Sequence, residues 1–162
     1  MMSRRSTDTL PQVWLLLTKR KFVDMILDGV KQIEIRWEGT ENVDKVKPGD
    51  YMLLIARVTD GVLGVAKVID VVKKPLNAIT DEEAQLAGFV SKGEMLQELH
   101  KIYQIKSYEE QYYLIRLVPL LDIRHRPIKL RTLGLSLTYW DIRGKLVKVP
   151  KDAISKILRA LQ

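Results

Sequence analysis

The chain has 162 residues, 46% hydrophobic and 29% charged, which is enough apolar material for a packed domain and not the composition of a disordered one. It has no cysteine, which excludes disulfides, thiolate zinc sites and a cysteine nucleophile and fits a reducing cytoplasm. The net charge of +7 is unevenly placed: residues 1–114 carry 16 Lys and Arg against 17 Asp and Glu, whereas residues 115–162 carry 11 against 3, an asymmetry that favours a polyanionic partner over a merely solvated tail.

Residues 1–12 are polar and read as a flexible leader. No apolar run is long enough for a signal peptide or a membrane span, so no membrane association is expected. The run Val13-Trp14-Leu15-Leu16-Leu17 predicts a first strand buried on both sides. Thr18 is placed to cap a helix over 19–28, with Phe22, Met25 and Ile26 on one face and Gly29 as its terminator. Lys19, Arg20 and Lys21 put positive charge in its first turn, against the helix dipole, and so point to an anion nearby. A second strand is predicted over 30–37. Ile33 and Ile35 take one face, and Gln32, Glu34 and Arg36 take the other, which shows water a carboxylate beside a guanidinium.

Residues 38–47 read as a polar loop. The turn Pro48-Gly49-Asp50 leads into a strand over 51–57, and the hairpin signal Thr59-Asp60-Gly61 into another over 62–72, ended by Lys73-Lys74-Pro75. Two capping boxes, Thr80 with Glu83 and Ser91 with Glu94, open two short helices, the second with a stripe of Met95, Leu96, Leu99 and Ile102. A fifth strand is predicted over 112–121. The order lacks repeated βαβ crossovers, which argues for an α+β fold: a small mixed β-barrel over 13–121 with flanking helices.

Residues 122–162 form a basic extension expected to pack on the barrel. Arg124, Arg126, Lys129 and Arg131 cluster at its start. Residues 132–140 suit one or two further strands, and Asp141 to Gly144 a turn. A last helix is predicted from Pro150, its Ile154, Ile157, Leu158 and Leu161 forming a stripe that docks on the barrel or on a protein partner.

The pattern Gly29-x-Lys31-x-x-Glu34-x-Arg36 resembles the Gly-x-Lys-x-x-Glu-x-Arg signature of the ASCH domain, a small barrel of the PUA-like superfamily. Lys47-Pro48-Gly49-Asp50 resembles that family's turn into its third strand. Residues 80–103, with Ala84-x-x-Ala87-Gly88-Phe89 and a helix ending at Ile102-Tyr103, resemble its helical insertion. The resemblance spans roughly residues 13–118. It implies a PUA-like pseudo-barrel with a cleft near the signature strand and first helix, and a role in RNA binding. Some bacterial members of the family are amidohydrolases acting on acylated cytidine, and ribonuclease activity is attributed to others. The amidohydrolase pattern of a Lys, a Thr three residues later and a Glu in the insertion is met here only at Lys31, with Glu34 and Ala87 at the other positions.

The expected function is therefore a module for RNA or other nucleic acid. Lys19, Lys21, Lys31, Glu34, Arg36 and Trp37 would form a cleft, and Arg124, Arg126, Lys129 and Arg131 would hold the backbone. The alternative is a small hydrolase of modified nucleosides or RNA using Lys31 and Glu34, although a Lys31–Glu34 pair would hold the carboxyl ionised. Trp37 has two readings, base stacking or packing at the barrel rim. The same holds for Tyr139-Trp140 with Arg143. His100 and His125 lack partners at ligand spacing, and no phosphate-loop, dinucleotide or zinc motif is present, so neither metal nor cofactor is expected.

Overall fold

The computed structural model describes residues 10–162; most of the expected leader lies outside the described residues. Six strands form one curled sheet, an open half-barrel within an α+β fold: β1 (Val13–Leu17), β2 (Ile33–Trp37), β3 (Tyr51–Ile55), β4 (Gly64–Pro75), β5 (Gln111–Asp122) and β6 (Val147–Val149). Their order is β2-β5-β4-β3-β1-β6. The β1–β3 pair is parallel and the other pairs are antiparallel. The helices are α1 (Arg20–Leu27), α2 (Asp81–Leu86), α3 (Lys92–Tyr103), α4 (Tyr139–Ile142) and α5 (Ala153–Ala160).

Alternation along β1 and β3 sorts their side chains into two cores. Trp14, Leu16, Met52 and Leu54 meet Val23, Ile26 and Leu27 of α1. Val13, Leu15, Leu53 and Ile55 meet Ile128, Leu130, Leu133, Ile142 and Ile157 from the C-terminal segment. Both faces of the central strands are covered, which is why each reads as an unbroken apolar run. A third core sets Ile33 and Ile35 of β2 and Tyr112 and Leu114 of β5 beneath Ala84, Ala87, Met95 and Leu99 of the helical insertion.

The curl has a local origin in the long β4–β5 ladder. Its register shifts between Val65 and Ala66 and again between Val68 and Asp70, so Leu120 and Ile69 are the extra residues. Both point outward and are exposed. Pro119 falls at the first shift, where a missing N–H is tolerated.

The turn into β3 is held by Asp50, which accepts from Trp14 Nε1 (2.9 Å) and from the backbone N–H groups of Gln12 (2.9 Å) and Lys47 (3.0 Å). Gln12, at the end of the expected leader, is thereby tied to the sheet.

Several expectations are corrected. Thr18 is not the cap of α1: its N–H donates to Ile55 O (3.0 Å), Lys19 takes the cap position, and no side chain caps the helix. The segment 38–47 is not wholly a surface loop, because Val43 and Val46 are buried around a 3₁₀ turn at Val43–Lys45. Residues 132–140 form no strand. Leu130–Leu133 is a 3₁₀ turn closed by Gly134 at φ +77°, and Thr138 and Asp141 form a capping box that starts α4. The expected Asp141 turn is thus the end of α4. The unexpected β6 pairs with β1, so the C-terminal segment extends the sheet. The last helix starts at Ala153, with Pro150 in the preceding turn; Ile157 is buried and Leu158 exposed. Among the described residues, no helix is long and apolar enough to cross a membrane, and no group of three or more His, Cys, Asp or Glu is arranged to hold a metal.

Candidate functional site

Gly29, at φ +80°, ends α1 and turns the chain beneath it, a backbone angle that L side chains rarely adopt. The N–H groups of Val30 and Lys31 then both donate to Met25 O, at 2.8 and 2.9 Å, which sets Lys31 under the helix. Its ammonium donates to Ile33 O (2.8 Å) and Ala87 O (2.6 Å), lies 3.3 Å from Glu34 Oε1 and sits 4.9 Å from the centre of the Phe22 ring. These oxygens account for its three donors, so Lys31 pins the signature strand to the end of α2.

The other oxygen of Glu34, Oε2, accepts from Arg36 Nε at 2.6 Å, and Arg36 Nη2 donates to Leu17 O at 3.2 Å. Lys31, Glu34 and Arg36 are 3%, 5% and 9% exposed. The facing expected for β2 holds, but not its full exposure to water: Glu34 and Arg36 are buried like Ile33 and Ile35, and of the expected polar face only Gln32 is exposed. Burial works to raise the Glu34 carboxyl, but the charges and hydrogen bonds of Arg36 and Lys31 outweigh it and hold the group below its ordinary value. Burial lowers the Lys31 ammonium against the opposing pull of Glu34. For Arg36, burial is overcome by Glu34 and by Tyr103, and the guanidinium is held charged. Glu34 therefore acts as an ionised bridge that orients Arg36, leaving most of the guanidinium's N–H groups for other partners.

This triad floors a half-open cleft of about 630 Å³, within the range of small-molecule sites. Its walls come from α1, β2, the end of α3 and the region of α4. Five cations line it, Lys19, Lys31, Arg36, Lys101 and Arg143, against one carboxylate among the described residues, Glu34. Phe22, Trp37, Phe89, Tyr103 and Tyr139 supply aromatic surface. Trp37 packs on Tyr103, with ring centres 6.1 Å apart, and over Gly39, where any Cβ would overlap the indole. It therefore packs at the rim and also lines the cleft wall; neither contact bears on its reading as a base-stacking residue.

Next to Gly39, Thr40 lines the cleft at 5% exposure, and its buried hydroxyl has no hydrogen-bond partner among the described residues. An unpartnered hydroxyl carries a desolvation cost that an isosteric methyl removes. Thr40→Val should therefore leave thermal stability unchanged or raise it slightly, by about 0.5–1 kcal/mol; a clear fall in Tm in a melting experiment would show that the hydroxyl is structurally bonded.

The remaining expected residues are dispersed. Lys19 lines the cleft and pairs with Glu98 at 3.2 Å. Lys21 lies over Phe22, 5.0 Å from the ring centre, and is not part of the cleft wall. Arg124, Arg126, Lys129 and Arg131 do not line it either. Arg124 is shared by Asp24 (3.1 Å), Asp28 (2.7 Å) and Asp122 (2.6 Å), whose hydrogen bonds raise its pKa and clamp the end of β5 to α1. Arg126 donates to Ala160 O (3.2 Å) and Lys129 to Thr59 O (2.6 Å), while Arg131 is exposed. Sequence reasoning missed Thr40 and Lys101. Tyr103 was legible only as the end of the insertion.

No protein-family model and no curated protein sequence matches the chain. Solved structures do match. The ASCH protein of Zymomonas mobilis is 17% identical and superposes with a TM-score of 0.65 over 91% of this chain and 94% of its own. A protein of Leishmania major gives 16% identity and a TM-score of 0.57 over 93% and 94% of the two chains. An ASCH domain from Lactobacillus crispatus gives 15% and 0.52 over 62% and 71%. At these identities the likeness speaks to architecture alone: the chain has the fold of the ASCH-domain structures.

Proposed function

We propose that this chain is a nucleic-acid-binding module, with single-stranded RNA as its ligand, held in the cleft floored by Lys31, Glu34 and Arg36. The observation that carries the reading is the cleft's composition: five cations, two of them sharing Glu98 outside the wall, around one ion-paired carboxylate, interleaved with aromatic rings. Anionic phosphates with stackable bases match that surface, since every base has a face to lay on an aromatic ring and every nucleotide a phosphate for a guanidinium. Arg36 is the central contact. Its planar fork is pre-oriented by Glu34 and Leu17 O, so little side-chain freedom is lost when it engages a phosphate. Trp37 and Lys19 flank it. Along the tail, Arg126, Lys129 and Arg131 carry a second, sequence-independent contact with the backbone, in which Arg124 takes part less because three carboxylates share it.

Lys31 and Glu34 serve this function as supports rather than as catalysts. The ammonium is spent on three oxygens and the carboxylate is held ionised between two cations, which gives both a supporting role beneath Arg36.

The test is a fluorescence-anisotropy titration of a labelled oligoribonucleotide. Arg36→Ala should weaken binding by about 1–3 kcal/mol. Arg36→Lys, which keeps the charge beside Glu34 but loses the fork, should weaken it less and serves as the control for folding. Wild-type affinity in a folded Arg36→Ala variant would remove the cleft from the proposal.

A further inference from the structure

Residues 139–144 lie beyond the segment that carries the sequence resemblance, yet Tyr139, Arg143 and Gly144 line the same cleft as Arg36. The segment is firmly held there. Thr138 donates its N–H (2.6 Å) and hydroxyl (3.0 Å) to Asp141 Oδ2, and Arg143 N–H donates to Tyr139 O (2.8 Å). Ile142 is fully buried. Just beyond, Leu146 N–H donates to Glu41 O (3.1 Å) and Leu146 O accepts from Asn42 Nδ2 (2.9 Å). The α4 wall is thus locked to the loop that follows Thr40.

Arg143 is the one charged side chain this wall presents to the cleft, and no carboxylate among the described residues pairs with it. The nearest acid in sequence, Asp141, is occupied by its cap, and Glu41 faces Lys145 at 3.8 Å. The guanidinium lies over the Trp140 ring, 5.6 Å from its centre. Stacking of this kind satisfies the face of the guanidinium and leaves its edge, with the N–H fork, for an anion.

We infer that Arg143 is a second phosphate contact of the cleft, made from a different wall than Arg36, and that the ligand is a phosphodiester-linked strand rather than a free nucleoside. The inference rests on the nucleic-acid reading above and sharpens it. A nucleoside has no anion for either guanidinium, whereas successive phosphates of a strand supply one for each. The buried Arg36 fixes the register of the strand, and the exposed Arg143 carries the part of the attraction most open to screening by salt.

The experiment titrates a fluorescein-labelled oligouridine at several salt concentrations against wild type, Arg143→Gln and Arg36→Lys, with free uridine, cytidine and adenosine titrated calorimetrically in parallel. Arg143→Gln changes an exposed side chain, and its melting curve should match wild type. It should weaken oligouridine binding about tenfold and flatten the slope of log K against log salt by about 0.7, the loss of one phosphate contact on a single strand. Wild-type affinity and slope in Arg143→Gln, with Arg36→Lys weakened, overturns this inference and leaves the cleft reading standing. If neither substitution changes binding, the cleft reading falls and this inference with it. A free nucleoside that binds wild type as tightly as the oligomer also overturns it.

Discussion

Replacing Glu34 by alanine should destabilise the fold by about 3–5 kcal/mol, read as a shift in denaturant midpoint at constant slope. Among the described residues the carboxylate is the only counter-charge placed between Lys31 and Arg36, at 3.3 and 2.6 Å, and all three groups are buried. Without it, two desolvated cations face each other in one low-dielectric site. Glu34→Gln keeps the shape but loses the charge, and should fall between wild type and alanine. The pair also predicts a pH dependence. The folded pKa of Glu34 lies below its ordinary 4.5, so the unfolded chain takes up this proton first as pH falls. The stability that Glu34 contributes is complete above about pH 4.5 and is lost as pH drops through the lower folded value. Wild type should therefore lose stability in that window more steeply than Glu34→Gln. Asp24, Glu83, Glu98, Asp122 and Asp141 are also lowered, but both proteins share them, so the difference isolates Glu34.

Leu53→Ala should cost about 2–5 kcal/mol. Leu53 is fully buried at the centre of β3, opposite Leu15 of β1 and Val65 of β4, in the core that the C-terminal segment closes with Ile142 and Ile157. Rigid strands on both sides prevent the cavity from collapsing, which places the cost in the upper part of that range. The matched change Leu158→Ala, on the half-exposed side of α5, should cost well under half as much. Equal losses at the two positions would mean that the C-terminal helix, not the sheet, governs stability.

The contrast between those two leucines shows which features were legible in the sequence. Strands β1, β3, β4 and β5 declare themselves through local pattern and turn chemistry, and the burial of Leu53, Ile55 and Val68 follows from alternation. The facing of Glu34 and Arg36 was legible for the same reason. Their burial was not, because alternation shows which face a residue takes and not what covers it, and part of the cover comes from the insertion, which is distant in sequence. Val43 and Val46 sit among polar neighbours and give no periodic signal. Leu133, Leu135 and Leu137 alternate as a strand would, but Gly134 and the Thr138 cap break the backbone there, and the three residues of β6 are too few to show any period. Arg124 looked like one member of a basic cluster because a charge count sees charges and not partners, and its carboxylates on α1 are remote in the chain. Thr40 became visible only when the fold buried its hydroxyl beside the cleft.

The most direct test of the cleft as the RNA site is photocrosslinking of an oligoribonucleotide carrying 4-thiouridine, followed by mass spectrometry of the adducted peptides. The account predicts adducts concentrated on the peptides that hold Trp37 and Tyr103, whose rings line the cleft beside Arg36, and their loss on competition with unlabelled RNA. Competable adducts confined to residues 124–131, with none at the cleft, would contradict it.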